Sequence, residues 1–336
     1  MKAIVQDRYG TADVLTLQEV DSPAVRDDEV LIRVRAASVH PDVWHVLTGL
    51  PYVLRIMGSG LRRPKNPVPG TDLAGVVESV GKDVTRFQPG DEVFGETIRG
   101  IQWINGGAFA ELATAPESGL ALKPANVTFE EAAAVPTSAL IALQTLRHQG
   151  KVGAGQKVLV NGAGGGVGAF AVQLARAFGA HVTGVDRTDK LDMIRALGAE
   201  EVIDYTRDDF TRRDERYDLI IDIPGNHSLS DCRRALTPAG TYVLVGHDHY
   251  GRGMHRWLGM LPHAFRLMAM SLFVSQLPDA RFSMPDKRES MEQLRELLEA
   301  GKLSPHIDRT YPLSEVPEAI RYLQEGNARG KVVITV

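Results

Sequence analysis

Five glycines interrupt the segment KVLVNGAGGGVGAFAVQLARAFGA, where Gly162, Gly164, Gly165, Gly166 and Gly168 stand between a short apolar run and an amphipathic one. A side chain there would block both the tight backbone path and its approach to a pyrophosphate, whose charge the amides at the helix start would hold. The spacing departs from G-x-G-x-x-G, because Val167 occupies the last position counted from Gly162. Two overlapping G-x-x-G units take its place, Gly162 with Gly165 and Gly165 with Gly168. Asp186 closes the next strand at the interval of roughly 20 residues expected of a ribose-binding acid. Its carboxylate could accept from a ribose diol and would repel a 2′-phosphate, which favours NAD(H). The neighbouring Arg187 could pair with that phosphate, which favours NADP(H). The expectation is an NAD(P)H site with a slight preference for NAD(H). A plain turn and a solvated Arg187 are the competing readings.

The other reactive side chains argue mostly by exclusion. Cys232 is the one cysteine, so no intrachain disulfide forms and no zinc site with two or more thiolates is available. It falls on a predicted surface helix with no neighbouring His, which speaks against a catalytic thiol. His40, His45 and Asp72 are metal-ligating types, as are His247, His249 and His255, but spacing alone builds no tetrahedral shell and no metal is expected. Basic residues number 38 against 42 acidic ones, a net charge of −4 that supplies no basic stripe for nucleic acid. The apolar run 257–277 is broken by Pro262, His263 and Arg266, which leaves no span of about 20 residues for a bilayer. A helix packed over a cleft is the preferred reading there, and a surface-lying helix the other. The opening MKAIVQDRYG has no apolar signal core, so the cytoplasm is the expected location.

The elements that must position these residues follow from hydrophobic period. Short β-type runs at 3–5, 29–36, 73–80, 92–95 and 108–115 are separated by Gly and Pro, including the turn pairs Pro69-Gly70 and Pro89-Gly90. They predict a compact, partly antiparallel β domain. A helix over 130–149 follows, then a strand at 157–161, the glycine turn and its helix. Strands at 181–185, 201–203, 218–223 and 241–245 then alternate with helices at 191–197 and 228–236. That alternation predicts a parallel, doubly wound sheet. After 277 come a helix at 287–300, a strand near 307, a helix at 316–324 and a strand at 331–336. These are too few for a separate domain and should rejoin the first one, leaving the nucleotide fold as an insertion.

This order, with the motifs ASVHPDVWHVLTG, PGTDLAGVVESVG, GDEVFG, GGAFAELA, NGAGGGVG and ARGKVVITV spread over nearly the whole chain, resembles the medium-chain dehydrogenase/reductase superfamily. It is most similar to the zinc-independent, quinone-oxidoreductase-like branch. The resemblance implies an α/β protein with a GroES-like, partly antiparallel β domain from 1–124 and 278–336 and a Rossmann doubly wound parallel-sheet domain from 125–277. The zinc-dependent alcohol dehydrogenase branch would carry a Cys near Val39, a His-Glu pair where Thr71 and Asp72 stand, and a four-cysteine structural lobe; none is present. Short-chain dehydrogenases need Tyr-x-x-x-Lys, and none of the eight tyrosines has a lysine four residues on.

Without zinc to polarise an alcohol or ketone, conjugated acceptors are easier. Hydride added to a quinone, or to the β-carbon of an enone, leaves a delocalised anion that a few hydrogen-bond donors stabilise. The expected function is a zinc-independent NAD(P)H-dependent oxidoreductase acting on a quinone or α,β-unsaturated carbonyl. By the resemblance, His40 stands where the branch carries an Asn beside the nicotinamide, as a candidate to orient the ring or donate a proton; plain packing is the alternative. Asp42 and Trp44 belong to the site architecture. Thr137 and Ser138 resemble nicotinamide-side contacts, with a helix cap as the competing view. Gly246 and His247 end the strand expected beneath the nicotinamide, and Phe273, Val274 and Ser275 resemble the next cofactor-contacting strand. Asn327, Arg329 and Lys331 stand where the family brings a polar or basic group toward the cofactor phosphates; for Lys331 a solvated strand charge competes. Tyr52, in the insertion between Gly49 and Pro69, is a candidate proton donor or a wall residue, and Met57 and Leu61 could form an apolar pocket.

Three other functions fit the same residues. One is a zinc-independent alcohol dehydrogenase. Another is an enoyl-thioester reductase, with Arg55, Arg62, Arg63 and Lys65 as a basic entrance. The third is a catalytically silent nucleotide-binding protein. The expected partner is a small-molecule substrate, with no nucleic acid and no membrane. The resemblance adds a homodimer formed through sheet edges.

Overall fold

A computed structural model describes residues 1–99, 103–246, 256–279 and 286–336. The chain forms two compact units: Met1–Thr137 with His255–Gly259 and Asp286–Val336, and Ser138–Met254 with Met260–Pro285. The first division falls inside the helix Pro136–Gln144, later than position 125. The reason is local: the preceding helix Phe129–Ala133 packs on the strands Glu29–Val39 and Asp72–Val80 and so belongs with them.

In the first unit a seven-stranded sheet runs Ile307–Pro312, Lys331–Thr335, Glu29–Val39, Asp72–Val80, Glu92–Glu96 and Leu120–Leu122, with Leu112–Pro116 also paired to Glu29–Val39. The long strand Glu29–Val39 buries Val30, Ile32 and Val34 while Arg33 between them is exposed, the period-two alternation of a sheet with one face on the core. The final strand pairs antiparallel with it, Val332 opposite Val39, so the end of the chain does return to the first β unit. That register brings Lys331 beside the point where the chain leaves the sheet toward His40.

In the second unit five parallel strands lie in the order Glu201–Asp204, His181–Asp186, Lys157–Asn161, Tyr217–Asp222 and Leu236–Leu244. The order reverses on either side of Lys157–Asn161, which opens a crevice at the carboxyl ends of the strands. The helix Gly166–Ala177 buries Val167, Phe170, Ala171 and Leu174 against the sheet. Each such large apolar side chain contributes roughly 1.5–3 kcal/mol.

Two expectations fail in this unit. Residues 273–275 form a turn after the helix Leu261–Ser271, not a strand, and Phe273 is 89% exposed. Val274 packs on the core beside Leu277, which uses up the apolar residue that looked like strand material. Cys232 is buried inside the helix Leu229–Arg234, not on the surface, and burial together with Asp222 and Asp231 pushes its thiol far above the ordinary range. Among the described residues no helix is long and apolar enough to cross a membrane.

Candidate active site

The first unit contains a small, open cleft. Its polar lining is Ser38, His40, Asp42, Thr71, Asn105 and Thr137. Val43, Val46, Ile104 and Phe109 supply apolar wall. Ser38 comes from the end of the strand Glu29–Val39, and the short helix Val43–Thr48 follows at once, so His40 and Asp42 sit on a tight connection between two packed elements. Asp42 occupies the helix N-cap position, yet its side chain makes no cap. Instead its Oδ2 lies 3.2 Å from His40 Nδ1. The other ring nitrogen, His40 Nε2, is buried with no hydrogen-bond partner among the described residues. Leaving a buried polar atom unpaired costs roughly 1–3 kcal/mol, so such an atom marks a place where a ligand atom would be bound favourably. Burial pushes the Asp42 carboxyl up, but His40, His45 and a hydrogen bond from Trp103 outweigh it and hold the group below the ordinary range.

Beneath the cleft lies a buried ionic network that the sequence did not announce. Asp72, Glu96, Thr137 and Lys331 are each at most 2% exposed. Thr137 Oγ1 is 2.5 Å from Asp72 Oδ1 and 2.7 Å from Glu96 Oε1, and its backbone N–H donates to Asp72 Oδ2. Lys287 Nζ is 2.6 Å from Glu96 Oε2, and Lys331 Nζ is 3.8 Å from Asp72 Oδ2. Thr137 therefore neither caps its helix with its side chain nor has an idle hydroxyl for a nicotinamide. Lys331 is not a solvated strand charge: it is 2% exposed, burial pushes its ammonium down, and contact with Asp72 opposes that shift. The acid that closes the strand EVFGE after three apolar or small residues, Glu96, was the available signal for this network.

Several other candidates lie elsewhere in the first unit. Tyr52 does not line the cleft; Arg256 Nη2 donates to its hydroxyl at 3.1 Å, and its ring packs edge-on against Trp257. Met57 and Leu61 are 54% and 70% exposed and form no pocket wall. Arg55 donates to the Gly49 and Thr48 carbonyls and stacks over Tyr9, so it staples the loop and does not stand at an entrance. Arg329 donates its backbone N–H to Asp308 Oδ2.

In the second unit the glycine turn is built as the residue types require. Gly162 has φ +84°, and a Cβ on Gly168 would sit 2.1 Å from the Gly162 oxygen. A Cβ on Gly165 would meet nothing nearer than 3.5 Å, so the start of the helix faces open space. Asp186 is brought to this turn: its Oδ2 accepts the Gly164 N–H at 2.8 Å and its Oδ1 accepts the Arg187 N–H at 2.9 Å. A carboxylate has about four lone-pair sites, and these contacts take up two of them. Arg187 Nε lies 2.7 Å from Asp189. Lys190, unremarked in the sequence, is buried with its stem against Gly164. Gly246 lies two residues beyond the strand Leu236–Leu244 and does not end it, a Cβ there coming within 2.7 Å of the Ile223 carbonyl; Ser138 is fully buried, and Phe273, Val274 and Ser275 are not drawn to the turn as a strand. His247, His249 and His255 lie outside the described residues.

Comparison with known proteins agrees with this architecture. Residues 26–125 match the alcohol dehydrogenase GroES-like domain family, and residues 197–334 match a family described as zinc-binding dehydrogenase. The chain is 32% identical to the mouse mitochondrial NAD(P)H oxidoreductase RTN4IP1, over 100% of this chain and 89% of that protein. It is 33% identical to tomato 2-methylene-furan-3-one reductase, over 99% of this chain and 79% of the relative. The solved quinone oxidoreductase of Coxiella burnetii superposes with a TM-score of 0.82 at 28% identity, covering 100% of this chain and 99% of that one. With two units of this kind, a matching GroES-like family and relatives above 30% identity along its whole length, the chain belongs to the medium-chain dehydrogenase/reductase superfamily, in its quinone-oxidoreductase-like branch.

Proposed function

We propose that the protein is an NAD(P)H-dependent reductase of quinones and α,β-unsaturated carbonyls that works without zinc. The observation that carries this reading is the buried Nε2 of His40, without a hydrogen-bond partner among the described residues, in the lining of an open cleft, with Asp42 beside the ring. The names of the relatives point the same way, since one denotes an NAD(P)H oxidoreductase, one a reductase of a conjugated enone and one a quinone oxidoreductase.

A dinucleotide fits the glycine turn, where a Cβ on Gly165 would meet nothing nearer than 3.5 Å and Gly168 leaves no side chain in the way. When bound, a reduced nicotinamide supplies the hydride. The chain's own residues do the rest. His40 donates from Nε2 to the acceptor oxygen as negative charge develops there, and Asp42, whose backbone N–H donates to Nδ1, fixes the ring. Val43, Val46 and Phe109 take the apolar body of the acceptor and exclude water. Asp186 receives the ribose hydroxyls, and because Asp189 engages Arg187, NAD(H) is the favoured cofactor.

Zinc does not suit the residues present. His45 Nδ1 lies 2.7 Å from the Leu50 carbonyl, Asp72 is occupied by Thr137, Ser38 and Lys331, and the described residues contain no group of three or more His, Cys, Asp or Glu that could hold a metal. A homodimer belongs to the same proposal by family resemblance.

The test is oxidation of NADH and of NADPH by the purified protein with a panel of quinones, enones and simple aldehydes, each with and without chelator. Turnover of conjugated acceptors that survives chelation is expected. Binding of cofactor without turnover of any acceptor, or loss of activity restored only by a divalent metal, would sink the reading.

A further inference from the structure

Under the cleft one hydroxyl is held between two carboxyl groups, and the number of hydrogens there is informative. Thr137 Oγ1 approaches Asp72 Oδ1 to 2.5 Å and Glu96 Oε1 to 2.7 Å. Oxygens at such distances need a hydrogen between each pair. Threonine has one to donate. A proton shared with one of the carboxyls would complete the second contact. The line continues in both directions. Thr71, in the cleft lining, has its Oγ1 3.3 Å from the same Asp72 Oδ1. At the other end Lys287 Nζ, whose side chain is 27% exposed, is 2.6 Å from Glu96 Oε2. The remaining neighbours of Asp72 are Lys331, 3.8 Å from Oδ2, and the Ser38 hydroxyl, which donates to Oδ2 at 3.3 Å.

We propose that Lys287, Glu96, Thr137, Asp72 and Thr71 form a proton relay that carries protons from solvent to the cleft. The proposal rests on the reductase reading above and supplies the proton that reading requires. Hydride addition moves an electron pair onto the acceptor oxygen, which His40 holds. The resulting enolate or hydroquinone anion takes the Thr71 hydroxyl proton. Asp72 Oδ1 returns a proton to Thr71, Thr137 to Asp72, and Glu96 to Thr137; Lys287 reprotonates Glu96 and recovers a proton from water. Each O–H or N–H bond breaks as the next forms, so one turnover consumes one hydride and one solvent proton. These five are positioning and relay groups, and Thr71 is the one that passes the proton to the acceptor.

Thr137→Val removes the hydroxyl at nearly constant volume, and Thr137→Ser restores it. The valine variant should lower kcat at least tenfold with KM and cofactor affinity unchanged, should raise the solvent deuterium isotope effect on kcat, and serine should recover both. Should Thr137→Val fail to fold, Thr71→Val interrupts the same line at its cleft end and leaves Thr137 in place between the two carboxyls. The stored proton is read without turnover: the infrared spectrum should contain a protonated-carboxyl band that shifts in heavy water and disappears in Glu96→Gln or Asp72→Asn. Normal kcat and isotope effect in both valine variants would overturn the relay, and so would a spectrum in which neither carboxyl variant removes a band. If the wild-type protein reduces no acceptor at all, the reductase reading falls, and the infrared result still decides whether the proton is stored.

Discussion

His40 Nδ1 lies 3.2 Å from Asp42 Oδ2, while Nε2 of the same ring is buried without a partner. One nitrogen thereby has a protein partner and the other has none among the described residues. His40→Phe keeps a ring and removes the donor, so kcat on an enone should fall by roughly 10²–10³, the usual effect of removing one oxyanion donor. Asp42→Asn, which loosens the ring without deleting it, should have a smaller effect of the same sign. Steady-state kinetics of the two variants check this; equal, near-wild-type rates would remove the pair from the reaction.

The glycines of the turn should separate into two classes. Gly165→Asp has room, since a Cβ there meets only the Gly162 oxygen at 3.5 Å, but it places an acid where the diphosphate would lie. The variant should melt near the wild-type temperature and lose cofactor affinity by more than about 100-fold, given the like-charge repulsion at a helix start. Gly168→Ala meets the Gly162 oxygen at 2.1 Å and should lower the melting temperature itself. Calorimetric melts and titrations with NADH distinguish the two; unchanged affinity in Gly165→Asp would refute the placement of the diphosphate.

Asp186 accepts the Gly164 amide at 2.8 Å, so under the proposed ribose role it would have two duties. Asp186→Ser should therefore weaken both cofactors through the loosened turn, and weaken NADH more than NADPH because the repulsion of a 2′-phosphate is gone. An unchanged ratio of the two affinities would leave Asp186 with the structural duty alone.

Stability should depend on pH through Asp222. Burial pushes this carboxyl above its ordinary value of 3.8, against hydrogen bonds from Gly225, Tyr242 and Asn161. A carboxyl raised on folding contributes stability below the unfolded value that is lost as pH rises through the folded one. Relative to Asp222→Asn, the wild-type protein should therefore be more favoured at pH 4 than at pH 7. Urea unfolding at the two pH values measures the difference, and a gap that widens in favour of wild type at pH 7 would contradict it.

Much of the fold was legible in the chain because local pattern and tertiary role agree. The run at 157–161 became the strand Lys157–Asn161, the helix expected at 316–324 became Val316–Gln324, and the glycines with Asp186 meet as their spacing suggested. The failures have one cause. Phe273 and Val274 have strand-like side chains, yet the packing of Val274 beside Leu277 and the turn after Leu261–Ser271 decided their conformation.

What the sequence by itself determined is therefore what neighbours in the chain settle: strand and helix periods, the glycine turn, the lack of thiolate ligands, and the family. Tertiary structure alone decided which polar groups share a buried space. Glu96, Thr137, Lys287 and Lys331 are far apart in sequence and are joined by sheet register and packing. A buried charge is tolerated only with a partner, and no local pattern states from which distant strand that partner will come.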